Sequence, residues 1–294
     1  MRKLTDYPSY KQWLKGLFPG YSQVRKISLN AGFTCPNIDG TKGKSGCTFC
    51  NNASFNLPLQ KNQVQIRDQI QAGKVAVKRK YPNAKFLAYY QAYSNTYAPV
   101  EKLEKLYQPA LEDKEILAIN IGTRADCLDQ NVVEWIKEIA LFKKVILEVG
   151  LQSANEITLE KINRGHSVAD WHGALNRLQG IENLHLTTHV ILGFPWEREP
   201  ELLATALALH QHNLSAVKIH PLHIVKQTKM AQQFLRGDFK LHTLEEYTQS
   251  LTFFLQHIPH QIAIERFAGG ANNEWHIAPD WSYDRNQILK SLTL

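Results

Sequence analysis

Thr34-Cys35-Pro36-Asn37, followed after a glycine-bearing insertion by Gly46-Cys47-Thr48-Phe49-Cys50-Asn51-Asn52-Ala53-Ser54-Phe55, is the stretch that decides how this 294-residue chain is read. It places Cys35, Cys47 and Cys50 in one short window. A closed zinc or iron–sulfur site normally takes four protein ligands, so three thiolates are one too few. A cluster held by three leaves one metal corner open for a ligand the protein does not supply. A structural zinc site needs a fourth ligand, usually from a second C-x-x-C or a histidine pair. Here the first histidine is His166 and the only other cysteine is Cys127. A disulfide needs an oxidising compartment, and Met1-Arg2-Lys3-Leu4-Thr5-Asp6 lacks the apolar stretch of a signal peptide. No apolar run approaches the roughly 20 residues that span a bilayer. A cytoplasmic protein without a membrane partner is expected.

Outward from the cysteines, short apolar runs alternate with amphipathic ones. Strands are expected near Val24–Leu29, Phe86–Gln91, Ile116–Ile121, Val145–Val149, Leu184–Leu192, Ala216–His220 and Gln261–Glu265. Helices are expected near Val64–Arg79, Val100–Leu111, Asn131–Phe142, Ala154–Ile162, Ala169–Leu178, Glu199–His212 and Thr243–Leu255. The third of these carries apolar residues at 132, 133, 136, 139 and 140, a helical period. Buried strands alternating with helices indicate βα units and a parallel sheet. Six units and a terminal strand fit an α/β fold, a partial (β/α)6 TIM-like barrel over residues 22–270. Residues 1–21 form an N-terminal extension and 271–294 a tail packed on the barrel. Tyr7, Tyr10, Trp13, Phe18 and Tyr21 in the extension would cover the barrel's flank or contribute to a substrate surface, with packing the favoured use.

Chemistry in α/β barrels gathers at the C-terminal ends of strands. The cysteine loop follows the first strand, and Gly40, Gly43 and Gly46 suit a tight loop that brings Cys35 toward the later pair. The third strand ends in Gly122-Thr123-Arg124-Ala125-Asp126-Cys127. Charged groups at such a position favour ligand contact, against a local ion pair that orders the loop. Cys127 would approach a cofactor or serve as a small buried residue. His220, at the end of the sixth strand, and Lys226, after it, are candidates to reach a substrate, although a lone strand-end histidine is more often structural. The catalytic candidates are therefore Arg124, Asp126, His220 and Lys226.

The cysteine segment resembles the cluster loop of the radical S-adenosylmethionine (SAM) enzymes, in particular the YhcC/YtqA-like branch with its C-x11-C-x2-C spacing. By that resemblance Cys35, Cys47 and Cys50 would ligate a 4Fe–4S cluster whose open iron binds SAM, with Phe49 beside it. Gln91-Ala92-Tyr93-Ser94-Asn95-Thr96-Tyr97 stands where the superfamily has a Gly-Gly-Glu-like segment, which makes Gln91, Ser94 and Asn95 candidate SAM contacts. Gly150-Leu151-Gln152-Ser153 and Asn163-Arg164-Gly165-His166 resemble segments of the Elongator catalytic subunit's radical SAM domain. Glu148 and Gln152 would then face the ribose and methionine parts of SAM, and Arg164 its carboxylate. The alternative is that Glu148 and Arg164 neutralise each other. His189-Val190-Ile191-Leu192-Gly193-Phe194-Pro195 matches the segment that stacks on adenine, and Trp196, where the family usually has glycine, narrows that loop. Glu265-Arg266-Phe267-Ala268-Gly269-Gly270 lacks the aspartate of the corresponding family segment.

What the resemblance implies is reductive cleavage of SAM to a 5′-deoxyadenosyl radical, fed by a flavodoxin or ferredoxin-type electron donor. The net charge of +7 and pI near 9.1 favour a polyanionic partner, although a charged surface also simply aids solubility. Together with the Elongator likeness, the charge points to tRNA and to conversion of a carboxymethylaminomethyl group on the wobble uridine to aminomethyl. Lys42 and Lys44 would contact phosphates, with Arg25 and Lys26 as weaker candidates. Only residues 271–294 follow the barrel, so an acetyl-CoA reaction within the one chain is not expected. The alternatives are a radical SAM oxidoreductase acting on a small metabolite or porphyrin-like substrate, and a non-catalytic metal-cluster RNA-binding protein.

Overall fold

Seven strands run parallel in one curled sheet, in the order β1 (Val24–Leu29), β2 (Lys85–Tyr90), β3 (Ile116–Arg124), β4 (Lys144–Gln152), β5 (Leu184–Leu192), β6 (Ala216–Pro221) and β8 (Ala263–Arg266). This is the partial (β/α)6 barrel expected from the alternation of apolar runs. The computed structural model describes residues 3–55, 65–269 and 274–292. Arg2, Val64, Gly270 and the 271–273 stretch of the expected tail lie outside the described residues. The crossover helices are α2 (Ile66–Lys78), α3 (Val100–Glu112), α4 (Gln130–Ala140), the pair α5 (Glu156–Lys161) and α6 (Val168–Leu178), α7 (Glu199–Leu209) and α9 (Leu244–His257).

The helices form because apolar residues recur at helical spacing and their ends are capped. Asp129 Oδ1 accepts from the Val132 amide at the start of α4, and Ser167 with Asp170 forms a capping box on α6. Their apolar faces cover the outward side chains of the sheet. There Tyr90 stacks on Tyr107 at 4.0 Å, and Tyr107 meets Trp135 edge-on at 4.9 Å. All three rings are buried.

Strand residues two apart point to the same side of the sheet, and the inward side forms layers. Leu87, Ala118 and Ile146 make an apolar floor, which the helix α1 (Tyr10–Leu17) and Phe18 seal through Leu14 and Phe18. Packing, the favoured use, is what Tyr10, Trp13 and Phe18 do, because an unclosed barrel exposes an apolar lower end that must be covered; Tyr7 packs in the main core and Tyr21 is exposed. Pro8 O accepts from the Ile264 amide, tying the extension to β8.

The third and fourth strands run longer than the expected Ile116–Ile121 and Val145–Val149, and take in Gly122 and Gly150. A Cβ at Gly150 would fall 2.6 Å from Gln152 Nε2 and 2.7 Å from Arg164 Nη2, so glycine leaves room for two mouth side chains. The short strands β7 (Ile224–Val225) and β9 (His276–Ala278), with α8 (Lys229–Leu235) and α10 (Arg285–Leu292), were not anticipated.

Candidate metal centre and ligand cavity

The C-terminal ends of the strands open into one cavity of about 420 Å³. Cys35, Cys47 and Cys50 all line it, with Phe49, Gln91, Ser94, Arg124, Glu148, Gln152, Arg164, His189 and His220 from the expected set. Asn95, Asp126 and Lys226 do not. Asn95 is buried below the mouth, where its amide donates to Ala92 O at 3.1 Å and Gly122 O at 2.9 Å and shapes the turn after β2. Lys226 is exposed on the hairpin-like β7 segment. Asp126 serves the ion-pair alternative, accepting from Arg124 Nε at 2.8 Å and pairing with Lys42 at 2.8 Å.

The cysteine loop is tied to the segment after α5. Asn37 Nδ2 donates to Asn163 O at 2.6 Å, and Asn163 Nδ2 donates back to Gly46 O at 2.7 Å. Gly165, at φ +74°, passes so close that a Cβ would lie 2.9 Å from Asn37 Oδ1. These contacts aim the thiols into the cavity and surround them with donors. Arg164 Nη1 lies 3.7 Å and Arg124 Nη1 4.0 Å from Cys47 Sγ, and Asn52 Nδ2 lies 3.5 Å from Cys50 Sγ.

The donor set suits a 4Fe–4S cluster. Among the described residues no three Cys, His, Asp or Glu side chains gather around a single ion, which a cubane does not require, since each thiolate binds its own iron. Arg164 is buried, its Nε has no hydrogen-bond partner, and no carboxylate pairs with it among the described residues. A buried cation of this kind calls for an anion beside it, and a thiolate-bound cluster is one. Burial, with Cys47 and Cys35 nearby, pushes the free Cys50 thiol up to about 12, so metal loading must release protons.

Beneath the cysteines the lumen holds a charge network that the sequence reading missed. Glu148 Oε1 accepts from Lys26 and Asn120, and Oε2 accepts from Tyr89, His189 and Lys218, all at 2.7–2.9 Å. Five donors fill the roughly four lone-pair sites of a carboxylate, which leaves none for a SAM ribose. Glu148 therefore anchors the lumen, and its partners are these lysines in place of the anticipated Arg164. Burial pushes its carboxyl up, but Lys218 and Lys26 more than offset this and hold it well below the usual range. Burial also lowers His189, despite its hydrogen bond to Glu148. Lys26 reaches across the gap between the sheet edges to Glu265 at 2.6 Å, so it is no phosphate contact. Arg25 stacks on Tyr81 at 4.2 Å. The missed signal was a charged or polar residue at the inward phase of successive strands.

Two further departures concern the mouth. Ala92 and Tyr93 take φ of +66° and +64°, so the segment without the family's glycines still adopts a glycine-like backbone, held by Asn52 Oδ1 accepting from the Tyr93 amide. Such residues cost about 1–3 kcal/mol each and persist only where the surroundings enforce them. Trp196 does not narrow the cavity. Its Nε1 donates to Thr158 Oγ1 at 3.0 Å and its ring stacks on Phe194, away from the mouth.

The next residue, Glu197, is buried, with Ser153 Oγ donating to it, and burial pushes its carboxyl from 4.5 up to about 7. The folded state therefore keeps this proton after the unfolded chain has released it. Stability should fall as pH rises from about 4.5 and level off above about 7, by roughly 3 kcal/mol in total. Glu197→Gln should match wild type at the acid end and melt higher at pH 8. Parallel melting-temperature profiles from pH 4.5 to 8 would refute this.

Comparison with known proteins follows the same lines. The profile of the radical SAM superfamily matches residues 39–209, and that of the Radical_SAM C-terminal domain matches 214–293. Protein YhcC of Escherichia coli K12 is 36% identical over 269 residues, covering 90% of this chain and 84% of its own length. YtqA of Bacillus subtilis is 32% identical over 270 residues, 92% of this chain and 84% of its own. A tRNA uridine(34) acetyltransferase of Methanocaldococcus infernus is 23% identical over 170 residues, 57% of this chain but 31% of that protein. In structure, the Elp3 protein of Methanocaldococcus infernus superposes with a TM-score of 0.66 at 17% identity. That likeness covers 93% of this chain, which spans only 62% of the Elp3 chain.

Proposed function

The chain belongs to the radical SAM superfamily, and from that premise we propose that Cys35, Cys47 and Cys50 hold the family's 4Fe–4S cluster and that the enzyme modifies the wobble uridine of tRNA. The observation that carries the first part is the convergence of all three cysteines on the one cavity that also contains Arg164, Gln91 and Gln152. When bound, cluster and SAM together supply an electron and a 5′-deoxyadenosyl radical able to take hydrogen from an unactivated carbon.

The chain's own residues supply placement. Arg164 and Gln152 would present a guanidinium and an amide to the polar end of SAM, with Gln91, just after β2, on the wall of the same cavity. Phe49, Ile191 and Leu222 line the remaining wall with apolar surface that displaces water from a reactive intermediate. The balanced Lys26–Glu148–Lys218–Glu265 network keeps the lumen below electrically neutral without mobile ions.

Support for tRNA comes from the net charge of +7, from the exposed Lys42 and Lys44 on the cysteine loop, and from likeness to proteins that act on uridine 34. The target favoured is the carboxymethylaminomethyl side chain, converted to aminomethyl. An anticodon loop offers an already unpaired base to a deep site. A cytoplasmic location and a flavodoxin or ferredoxin-type donor belong to the same reading. Among the described residues no helix is long and apolar enough to cross a membrane.

Two measurements test this. Wobble nucleosides of tRNA from a deletion strain should accumulate the carboxymethylaminomethyl form; an unchanged profile moves the assignment to a small-molecule substrate. Binding of tRNA should weaken steeply with salt, and Lys44→Ala should lower the log–log slope by about 1 while iron content stays constant. Lys42 is already paired with Asp126, so its removal should matter less. A flat salt response would exclude phosphate-driven binding.

A further inference from the structure

The charges that line the cavity do not all cancel. Lys218 is matched by Glu148 and Glu265, and Arg124 by Asp126. Arg164 lies against Cys47. Arg266, at the end of β8, also lines the cavity, and no carboxylate pairs with it among the described residues. Its neighbour Glu265 is taken up by Lys26 at 2.6 Å and Lys218 at 3.4 Å.

Two imidazoles share this part of the wall. His220 and His223 line the same cavity from the end of β6 and the residues after it. His223 Nδ1 donates to Pro221 O at 3.1 Å. Burial favours the neutral form of both rings, and Arg266 lines the same cavity as they do. The cations that act on the cysteines are different ones, Arg164 and Arg124. The cavity thus has two cationic poles. One faces the thiols, and the other combines the exposed Arg266 guanidinium with two neutral rings and, among the described residues, no unpaired carboxylate.

We infer that Arg266, with His220 and His223 beside it, is the subsite for an anionic group of the substrate, a carboxylate or a phosphate. A planar guanidinium binds either in two-pronged fashion. This rests on the tRNA reading for the identity of the substrate. Within that reading the carboxylate would be the one on the wobble side chain, and the phosphate one flanking the unstacked base.

The test uses anaerobically reconstituted holoprotein and anticodon stem-loops that differ only in a carboxymethylaminomethyl or an aminomethyl group at the wobble position. A carboxylate subsite predicts that wild type prefers the first RNA by about tenfold to a hundredfold and that Arg266→Gln abolishes the preference. A phosphate subsite predicts that Arg266→Gln weakens both RNAs equally, by about tenfold. Arg266→Lys should recover part of either effect, because charge returns without the fork. In parallel, sarcosine and inorganic phosphate are titrated as small probes against melting temperature. If neither RNA binds, yet a probe protects wild type and not Arg266→Gln, the subsite stands and the tRNA reading falls. If RNA binds but Arg266→Gln alters neither RNA affinity nor probe protection, the subsite is wrong and the tRNA reading survives. No response of wild type to either RNA or probe overturns both. Iron content equal to wild type confirms that the variant is folded.

Discussion

Alanine at Cys35, Cys47 or Cys50 should leave the protein without iron and without SAM cleavage, while Cys127→Ala should keep both. Three thiolates are the fewest that hold a cubane with one open corner, so losing one removes a third of the protein ligands and exposes a second iron. The effect should be total and not graded. Cys127 is the control because it is buried in the short 3-10 turn after β3, outside the cavity lining. Iron and sulfide content after anaerobic reconstitution, with the electron paramagnetic resonance signal of the reduced protein, reads all four variants. Iron loss in Cys127→Ala would show that the ligand set is not the three cysteines proposed.

The second large effect is on stability. Glu148→Ala should destabilise the fold by about 3–5 kcal/mol, the usual consequence of removing one partner from a buried ionic group. Lys26 and Lys218 would keep their charges in a lumen left with Glu265 as their only carboxylate. Tyr89 and Asn120 would each lose an acceptor. Glu148→Gln keeps the shape and one acceptor and should cost less. Urea unfolding of the apoprotein measures both, and a loss below about 1 kcal/mol for Glu148→Ala would mean that water enters and solvates the lysines. SAM affinity should fall in the same variant, because Tyr89, His189 and Lys218 also line the cavity.

The fold was legible because outward-facing strand residues are almost wholly apolar. Ile119, Ile121, Val145 and Leu147 form runs that only a strand buried on that side explains. The site was legible in part. Cysteine spacing announces itself locally, and Gln152 and Arg164 stand in recognisable segments. Lys26, Tyr89, Asn120 and Lys218 sit on four different strands and meet only when the sheet curls. Each looks unremarkable in its own segment, where a lone lysine reads as a solvated charge. The same holds for Arg266, whose meaning depends on its neighbour's acid being used elsewhere. Trp196 misled for the opposite reason. A residue's size is visible in sequence, but the direction of its ring is set by Thr158, which lies 38 positions earlier.

The reciprocal amides of Asn37 and Asn163 imply an order of events during maturation. They join segments 126 residues apart, and contacts of such long range form late, since loop closure must precede them. A nascent chain that has emerged only through Cys50 has its three thiols but not the clamp that aims them. They become a cluster site only after β4 and α5 are in place. Iron delivered earlier would meet flexible thiols free to bind in wrong combinations. Maturation should therefore proceed by insertion into an already folded barrel, and Asn163→Ala should slow cluster uptake by folded apoprotein more than it lowers the melting temperature.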